Sequence, residues 1–213
     1  MNGISIAIIE VLLFLYASFK FKETWNNELT GINVISYYWY MFTILVGFWE
    51  YIYITNYDSI IQIAKNYIKT KKHTWTNNYD ITYVLPWKLS KIFYAEYGAW
   101  ADREYQNTKN HWSRMIEGSH ELCCGFFSLL TILFKIYGQD EKYILCACIS
   151  MGTQFMNSLL YMGNYAIQVK NKYNINYDSP KFPLGCGYSK RFFMWINYAW
   201  LAFPFYSLIV LLV

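Results

Sequence analysis

Charged residues are scarce in this chain. Only 15% of the 213 residues are Asp, Glu, Lys or Arg, whereas 55% are hydrophobic and 22% are aromatic. The net charge is just +4, and the basic residues lie beside long uncharged stretches rather than forming a basic surface. This composition argues against a nucleic-acid-binding protein and indicates a chain embedded in a membrane.

The sequence also lacks the marks of a disulfide framework, a cluster of metal ligands and a basic leader. The cysteines are few and odd in number, and four of them fall inside predicted spans, so a disulfide framework is not expected: Cys123, Cys124, Cys146 and Cys148. No Cys or His cluster has the spacing of metal ligands, so neither a metal nor another cofactor is implied. The first apolar segment lacks a basic leader and contains Glu10, which predicts a retained helix rather than a signal peptide.

Five segments are long and apolar enough to cross a bilayer, for which about 20 residues are needed. They cover residues 2–19, 32–56, 112–136, 143–169 and 191–213. Runs of this length fit helices rather than the strands of a barrel. With no internal repeat or low-complexity tract, the sequence predicts one all-α domain over residues 1–213, a polytopic membrane protein with five transmembrane helices.

A long aromatic and basic loop, residues 57–111, separates the second and third spans. Within it, Asp58 to Lys72 has apolar residues at helical spacing, which predicts a helix lying in the membrane interface. The aromatic residues between Trp87 and Tyr105 alternate with lysines and an arginine. That pattern is typical of an aromatic belt at headgroup level.

Acidic side chains inside spans are the leading candidates for function. An ionised carboxylate near the bilayer centre costs about 2.5 kcal/mol or more, so it normally faces a bundle interior or a cavity. Glu117, His120 and Glu121 share one helical face, and Glu50 lies in the second span. Because desolvation favours the protonated carboxyl, one acid can donate a proton while its neighbour accepts one, and a histidine can relay it.

Amides also lie within the spans. Gln154, Asn157 and Asn197 can hydrogen-bond either neighbouring helices or a ligand. Asn197 is one turn from Trp200, and an indole face next to an amide can hold a cation.

The segments from Glu96 to Leu208, together with the second span, resemble the emopamil-binding (EXPERA) family. The similar stretches are Glu96-Tyr97 with Ala101-Asp102-Arg103 and Tyr105, Met115-Ile116-Glu117 with Gly125 and Ser128-Leu129, Gln154 with Asn157 and Leu160-Tyr161, and Asn197 with Trp200 and Pro204. This family contains the sterol 8-to-7 double-bond isomerase and non-catalytic relatives such as the sigma-type receptor.

The resemblance implies a site. Glu50 and Glu117 would exchange protons with a sterol, and Asn197 and Trp200 would line the pocket, with the indole facing the carbocation. The family histidine, one turn before its first glutamate, is replaced by Val46. Either His120 takes over the relay, or isomerisation is lost and a lipid pocket with Glu121, Gln154 and Asn157 is kept.

Three hypotheses therefore stand. The first is a sterol double-bond isomerase in the endoplasmic reticulum membrane, and the second a non-catalytic sterol-binding or trafficking protein of the same fold. The third is a structural subunit of a larger assembly, which predicts no continuous interior cavity. The resemblance also allows a homodimer, and it places the Glu96 to Tyr105 stretch on the lumenal side, whereas the distribution of Lys and Arg would make that side cytoplasmic.

Overall fold

The protein is described from a computed structural model. The structure describes residues 1–102, 105, 114–115, 118–168 and 192–212. Eight α-helices are described: α1 (Gly3–Thr24), α2 (Asn26–Leu29), α3 (Val34–Thr55), α4 (Tyr57–Thr70), α5 (Pro86–Glu96), α6 (Gly118–Ile136), α7 (Asp140–Gln168) and α8 (Phe192–Leu212). Short 3₁₀ turns at Thr74–Thr76 and Ile81–Val84 and a π-helical turn at Tyr97–Ala101 complete the described elements.

Four of these helices are long and apolar enough to cross a membrane: α1, α6, α7 and α8. They coincide with the first, third, fourth and fifth predicted spans, although residues 112–113 and 116–117 of the third lie outside the described part. The second predicted span forms α3, which is as long as α1 but rich in Tyr and Trp. The structure therefore supports an all-α membrane fold with four candidate spans among the described residues, and the fifth span stays a prediction.

Helix α3 faces protein on several sides, because it packs against α6 and α8 along the bundle and against α4 and α5 at its end. Its buried side chains include Tyr37, Trp39, Tyr40 and Tyr53. By contrast, many large apolar side chains of α1 are exposed, as expected for a surface that meets lipid. A helix enclosed by protein can carry more polar rings than one that meets acyl chains.

The 57–111 segment is a folded cap as far as the structure describes it. Residues 58–70 form most of α4, as predicted, but its apolar face is packed against protein rather than left open to lipid. Instead, Ile60, Ile61, Ala64 and Tyr67 are buried in a cluster with residues of α5 and the π-helical turn. Protein from the same segment and from the end of α3 covers these side chains, so they are not available to lipid.

The cap is joined to the bundle at the start of α1. The amino group of Met1 donates to the Tyr79 carbonyl at 2.8 Å, and the Gly3 N–H donates to the Asn77 carbonyl at 3.1 Å. A Cβ atom at Gly3 would come within 2.2 Å of the Thr74 carbonyl oxygen, so only glycine fits there. The start of α1, the cap and the end of α3 therefore lie at the same end of the bundle.

Candidate functional site

A cavity of about 650 Å³ lies at this end, between the cap and helices α3, α6, α7 and α8. Its volume is within the range of about 300–1,000 Å³ that is usual for small-molecule sites. Six of the side chains predicted from the sequence line it, contributed by four helices: Glu50, His120, Glu121, Asn157, Asn197 and Trp200. A continuous cavity is the opposite of what the structural-subunit hypothesis predicts.

Glu50 lies near the end of α3 and is only 3% exposed. The Tyr94 hydroxyl on α5 donates a hydrogen bond to its Oε1 atom at 2.5 Å. Burial, and then the charge of Glu50, raise the pKa of Tyr94 well above its usual range, so this hydroxyl stays protonated and donates. On the other side, Oε2 is 3.3 Å from the position that a Cβ atom of Gly118 would take. Glu50 is thus held between the cap and the start of α6.

The Tyr94–Glu50 hydrogen bond can be tested by Tyr94→Phe, which removes only the hydroxyl. A hydrogen bond to a charged acceptor contributes about 1.5–3 kcal/mol. We therefore expect the variant to lower the free energy of unfolding by about 1–3 kcal/mol, measured by denaturant titration in detergent. Tyr137→Phe is the matched control, because Tyr137 is 71% exposed. Equal stability of the two variants would contradict the assigned contact.

His120 and Glu121 reach the cavity from the first turn of α6. His120 Nδ1 is 3.5 Å from Glu121 Oε1, and its Nε2 is 3.5 Å from the Cys124 sulfur. The two side chains therefore lie side by side on the cavity surface, without a direct hydrogen bond between them.

Gln154 does not line this cavity, although the sequence predicted a ligand contact for it. It is fully buried behind Glu121, to which its amide Nε2 donates at 3.3 Å. The Trp39 indole N–H in turn donates to Gln154 Oε1 at 2.7 Å. Gln154 therefore orients the Glu121 carboxylate. This role is intramolecular, because the amide is already engaged by α3 and α6.

Backbone contact between α3 and α6 sets the positions of the two acidic residues. A Cβ atom on Gly47 would lie 2.9 Å from both the Glu121 carbonyl oxygen and Gly125 Cα. A Cβ atom on Gly125 would lie 2.9 Å from Gly47 Cα. Small residues let membrane helices approach this closely. Glu50 is one turn from Gly47, and Glu121 is one turn from Gly125, so both carboxylates are carried on a closely packed helix pair.

Trp200 occupies an aromatic cluster on the α8 side of the cavity. Its ring centroid is 5.4 Å from that of Phe42, with nearly parallel planes, and 5.0 Å from that of Trp39. These contacts fix the indole while it still borders the cavity. Asn197, one turn earlier on α8, borders the same space. An amide and an indole therefore border the same cavity.

Val46 also lines the cavity, one turn before Glu50 on α3. This is the position at which the resemblance implies a histidine. The valine places an apolar surface beside the first carboxylate, and the imidazole on this cavity belongs to His120 of α6 instead.

The contribution of the cap to the cavity was not predicted from the sequence. Its aromatic residues were interpreted as a membrane belt, but several of them line the cavity, namely Phe93, Tyr94, Tyr97, Trp100 and Tyr105. Most recur at helical spacing on α5 and the π-helical turn. This periodicity in the sequence indicates that α5 and the π-helical turn have one buried face.

Two acidic residues of the cap are fixed by hydrogen bonds. Glu96, which borders the cavity, accepts from the Thr74 N–H at 2.9 Å and contacts His73 Nδ1 at 2.7 Å. Asp102 accepts from the Tyr161 hydroxyl at 2.6 Å, which joins the cap to α7. The Glu96 contacts therefore hold the cap together, and the Asp102–Tyr161 bond ties it to α7.

Glu117, the second carboxylate implied by the resemblance, lies outside the described residues. Among the residues that the structure does describe, no three His, Cys, Asp or Glu side chains converge as metal ligands would. Comparison of the chain with protein-family models, with curated proteins and with solved structures gives no match.

Proposed function

We propose that this chain is a sterol double-bond isomerase of the emopamil-binding type, which moves a double bond of a bound sterol by adding and removing protons. The observation that supports this proposal is the meeting of Glu50, Glu121 and Trp200 in one cavity of about 650 Å³. Most of the surface around these groups is aromatic or aliphatic. Such a cavity suits a rigid polycyclic lipid with few polar groups.

The proposed reaction has two proton transfers. A protonated carboxyl donates a proton to one alkene carbon, which leaves a carbocation on its neighbour. The Trp200 ring stabilises that cation through its π electrons. A carboxylate then removes a proton from the carbon on the far side of the cation, which forms the new double bond. The net result moves the double bond without any oxidant or reductant.

We assign the two proton-transfer roles to Glu50 and to the His120–Glu121 pair. Tyr94 orients Glu50, and Gln154 orients Glu121, so each group is held by a hydrogen bond from another helix. Preorganised groups of this kind lower the cost of reaching the reactive geometry. The role that the resemblance gives to Glu117 stays a prediction, and Glu117→Gln tests it beside Glu121→Gln.

The proposal includes a location and a topology. Helix α3, with its 22 residues, would be the fifth span, and the chain would lie in the endoplasmic reticulum membrane as members of the family do. A homodimer is part of the same expectation. Crosslinking in native membranes would detect a homodimer. A protein that is purely monomeric there would contradict this part of the proposal.

The decisive experiment is complementation of a cell that lacks sterol 8-to-7 isomerase, followed by sterol analysis. We expect the wild-type chain to restore the isomerised sterol and Glu121→Gln to abolish it. Absence of product from a chain that is well expressed and membrane-located would overturn the enzymatic proposal.

A second candidate is a non-catalytic sterol-binding protein with the same pocket, and Val46 is the observation that favours it. The variant Val46→His separates the two candidates, because it adds an imidazole one turn from Glu50. If His120 already relays protons, we expect little change in turnover from Val46→His and a loss from His120→Gln. If catalysis has been lost, the wild-type chain gives no product and Val46→His gains activity. Val46→Asn controls for added polarity without a group that titrates near neutrality.

A further inference from the structure

A second cavity, of about 290 Å³, lies at the opposite end of the bundle from the cap. It is bordered by the start of α3, the end of α6, the start of α7 and the end of α8, and it shares no lining residue with the larger cavity. In a bundle whose helices cross a bilayer, helix ends lie at the level of the lipid headgroups. Its size suits a headgroup rather than a whole lipid.

Two buried hydroxyls, carried by residues that line this cavity, have no hydrogen-bond partner among the described residues. They belong to Ser36 on α3 and Ser207 on α8, which are 3% and 1% exposed. Nearby helical hydroxyls behave differently: Thr43 donates to the Trp39 carbonyl, and Ser128 bonds to Ser150. Buried polar atoms almost always have partners. Ser18 and Ser90 also lack one, but Ser36 and Ser207 are the two such serines among the described residues that line the same cavity, and this coincidence points to a polar occupant.

An ion pair lies beside these hydroxyls. Lys135 Nζ is 2.7 Å from Asp140 Oδ1, and both residues line the cavity. The Lys135 ammonium is also 5.1 Å from the centroid of the Tyr143 ring, which keeps it near the cavity. The lysine side chain is 20% exposed, whereas that of Asp140 is 66% exposed and can turn towards water. Together the pair offers one positive and one negative partner to a ligand.

We propose that this cavity binds the headgroup of a zwitterionic glycerophospholipid. The phosphodiester accepts hydrogen bonds from Lys135, Ser36 and Ser207, and the ammonium of the headgroup pairs with Asp140. The apolar side chains of Ile144, Val210 and Leu211 line the same cavity and contact the first part of the acyl chains. This site is independent of the sterol proposal, because it shares no residue with that site.

The test uses the purified full-length chain in detergent and a short-chain fluorescent phosphatidylethanolamine, with binding followed by anisotropy. We expect it to bind more tightly than a diacylglycerol with the same chains, which lacks phosphate and ammonium. Lys135→Gln should weaken binding about tenfold, because it removes a charge-assisted hydrogen bond. Ser36→Ala and Ser207→Ala should each weaken it by a smaller factor.

Ser90→Ala is the matched control, because Ser90 is also a fully buried serine without a hydrogen-bond partner, but it lies on α5. It should leave lipid binding unchanged. The Ser36 and Ser207 variants should keep the thermal stability of the lipid-free protein, since neither hydroxyl bonds within the described structure. A purely structural role would lower that stability instead.

Three results would overturn the proposal. Equal binding of diacylglycerol would show that acyl chains alone are recognised. Full competition by soluble phosphoethanolamine at the concentration of the lipid would identify a water-soluble phosphate ester as the ligand. Unchanged binding in the Lys135 and serine variants, relative to Ser90→Ala, would place the lipid elsewhere.

Discussion

Glu50→Gln is expected to reduce isomerisation of a bound sterol by about 10²–10⁴-fold, the usual contribution of a positioned general acid or base. Glutamine has nearly the same shape as glutamate, and its carbonyl oxygen can still accept the Tyr94 hydrogen bond. The substitution therefore removes proton transfer while it preserves the packing around residue 50. Product formation in membranes that contain equal amounts of each variant measures the effect.

Glu10→Gln provides the matched control. Glu10 is also a buried glutamate inside a predicted span, only 6% exposed, but it lies on α1 and does not line the larger cavity. This variant should isomerise sterol at the wild-type rate. If Glu50→Gln and Glu10→Gln were equally active, Glu50 would have no role in proton transfer.

Gly47→Ala is expected to destabilise the protein by about 1–3 kcal/mol, as overpacking in a well-packed interior usually does. The new methyl group would come within 2.9 Å of the Glu121 carbonyl oxygen and of Gly125 Cα. Both neighbours are backbone atoms, so no side-chain rotation can relieve the contact. Helices α3 and α6 must separate, which also moves Glu50 away from Glu121.

Gly152→Ala is the control for this substitution, because a Cβ atom there would meet nothing within 4 Å. In a helix, alanine is more stable than glycine by about 0.5–1 kcal/mol, so this variant should be neutral or stabilising. The unfolding midpoint in detergent and sterol binding report stability and cavity geometry separately. Gly47→Ala with wild-type stability would show that α3 and α6 do not pack at this glycine.

Much of the architecture could be predicted from hydropathy and periodicity. The long apolar runs coincide with α1, α6, α7 and α8, because a helix that contacts lipid must consist mainly of apolar residues. The second run was harder to classify, since α3 carries polar aromatic rings that face protein. Hydropathy reports suitability for lipid, and it is a weak guide to a helix enclosed by its neighbours.

The site was predicted in part. Glu50, His120, Glu121, Asn197 and Trp200 were singled out as polar or cation-binding groups inside apolar segments, and they meet in one cavity. The sequence could not distinguish Gln154 from these cavity-lining residues. A buried amide that orients a carboxylate and one that contacts a ligand look the same in a sequence, since each is a polar residue inside an apolar span. Tyr94 and Glu96 were not assigned to the site, because their contacts depend on how the cap folds back over α3.

The glycine contact between α3 and α6 also bears on the size of the ligand that this cavity can accept. Main-chain atoms touch at Gly47 and Gly125, so the spacing between these two helices cannot be tuned by changing side-chain size. The opposite surface consists of large rings on α5 and the π-helical turn, where a substitution alters shape without moving a helix. Selectivity between ligands of different width would therefore be set by the cap, and the α3–α6 side would keep the same dimensions whatever ligand is bound.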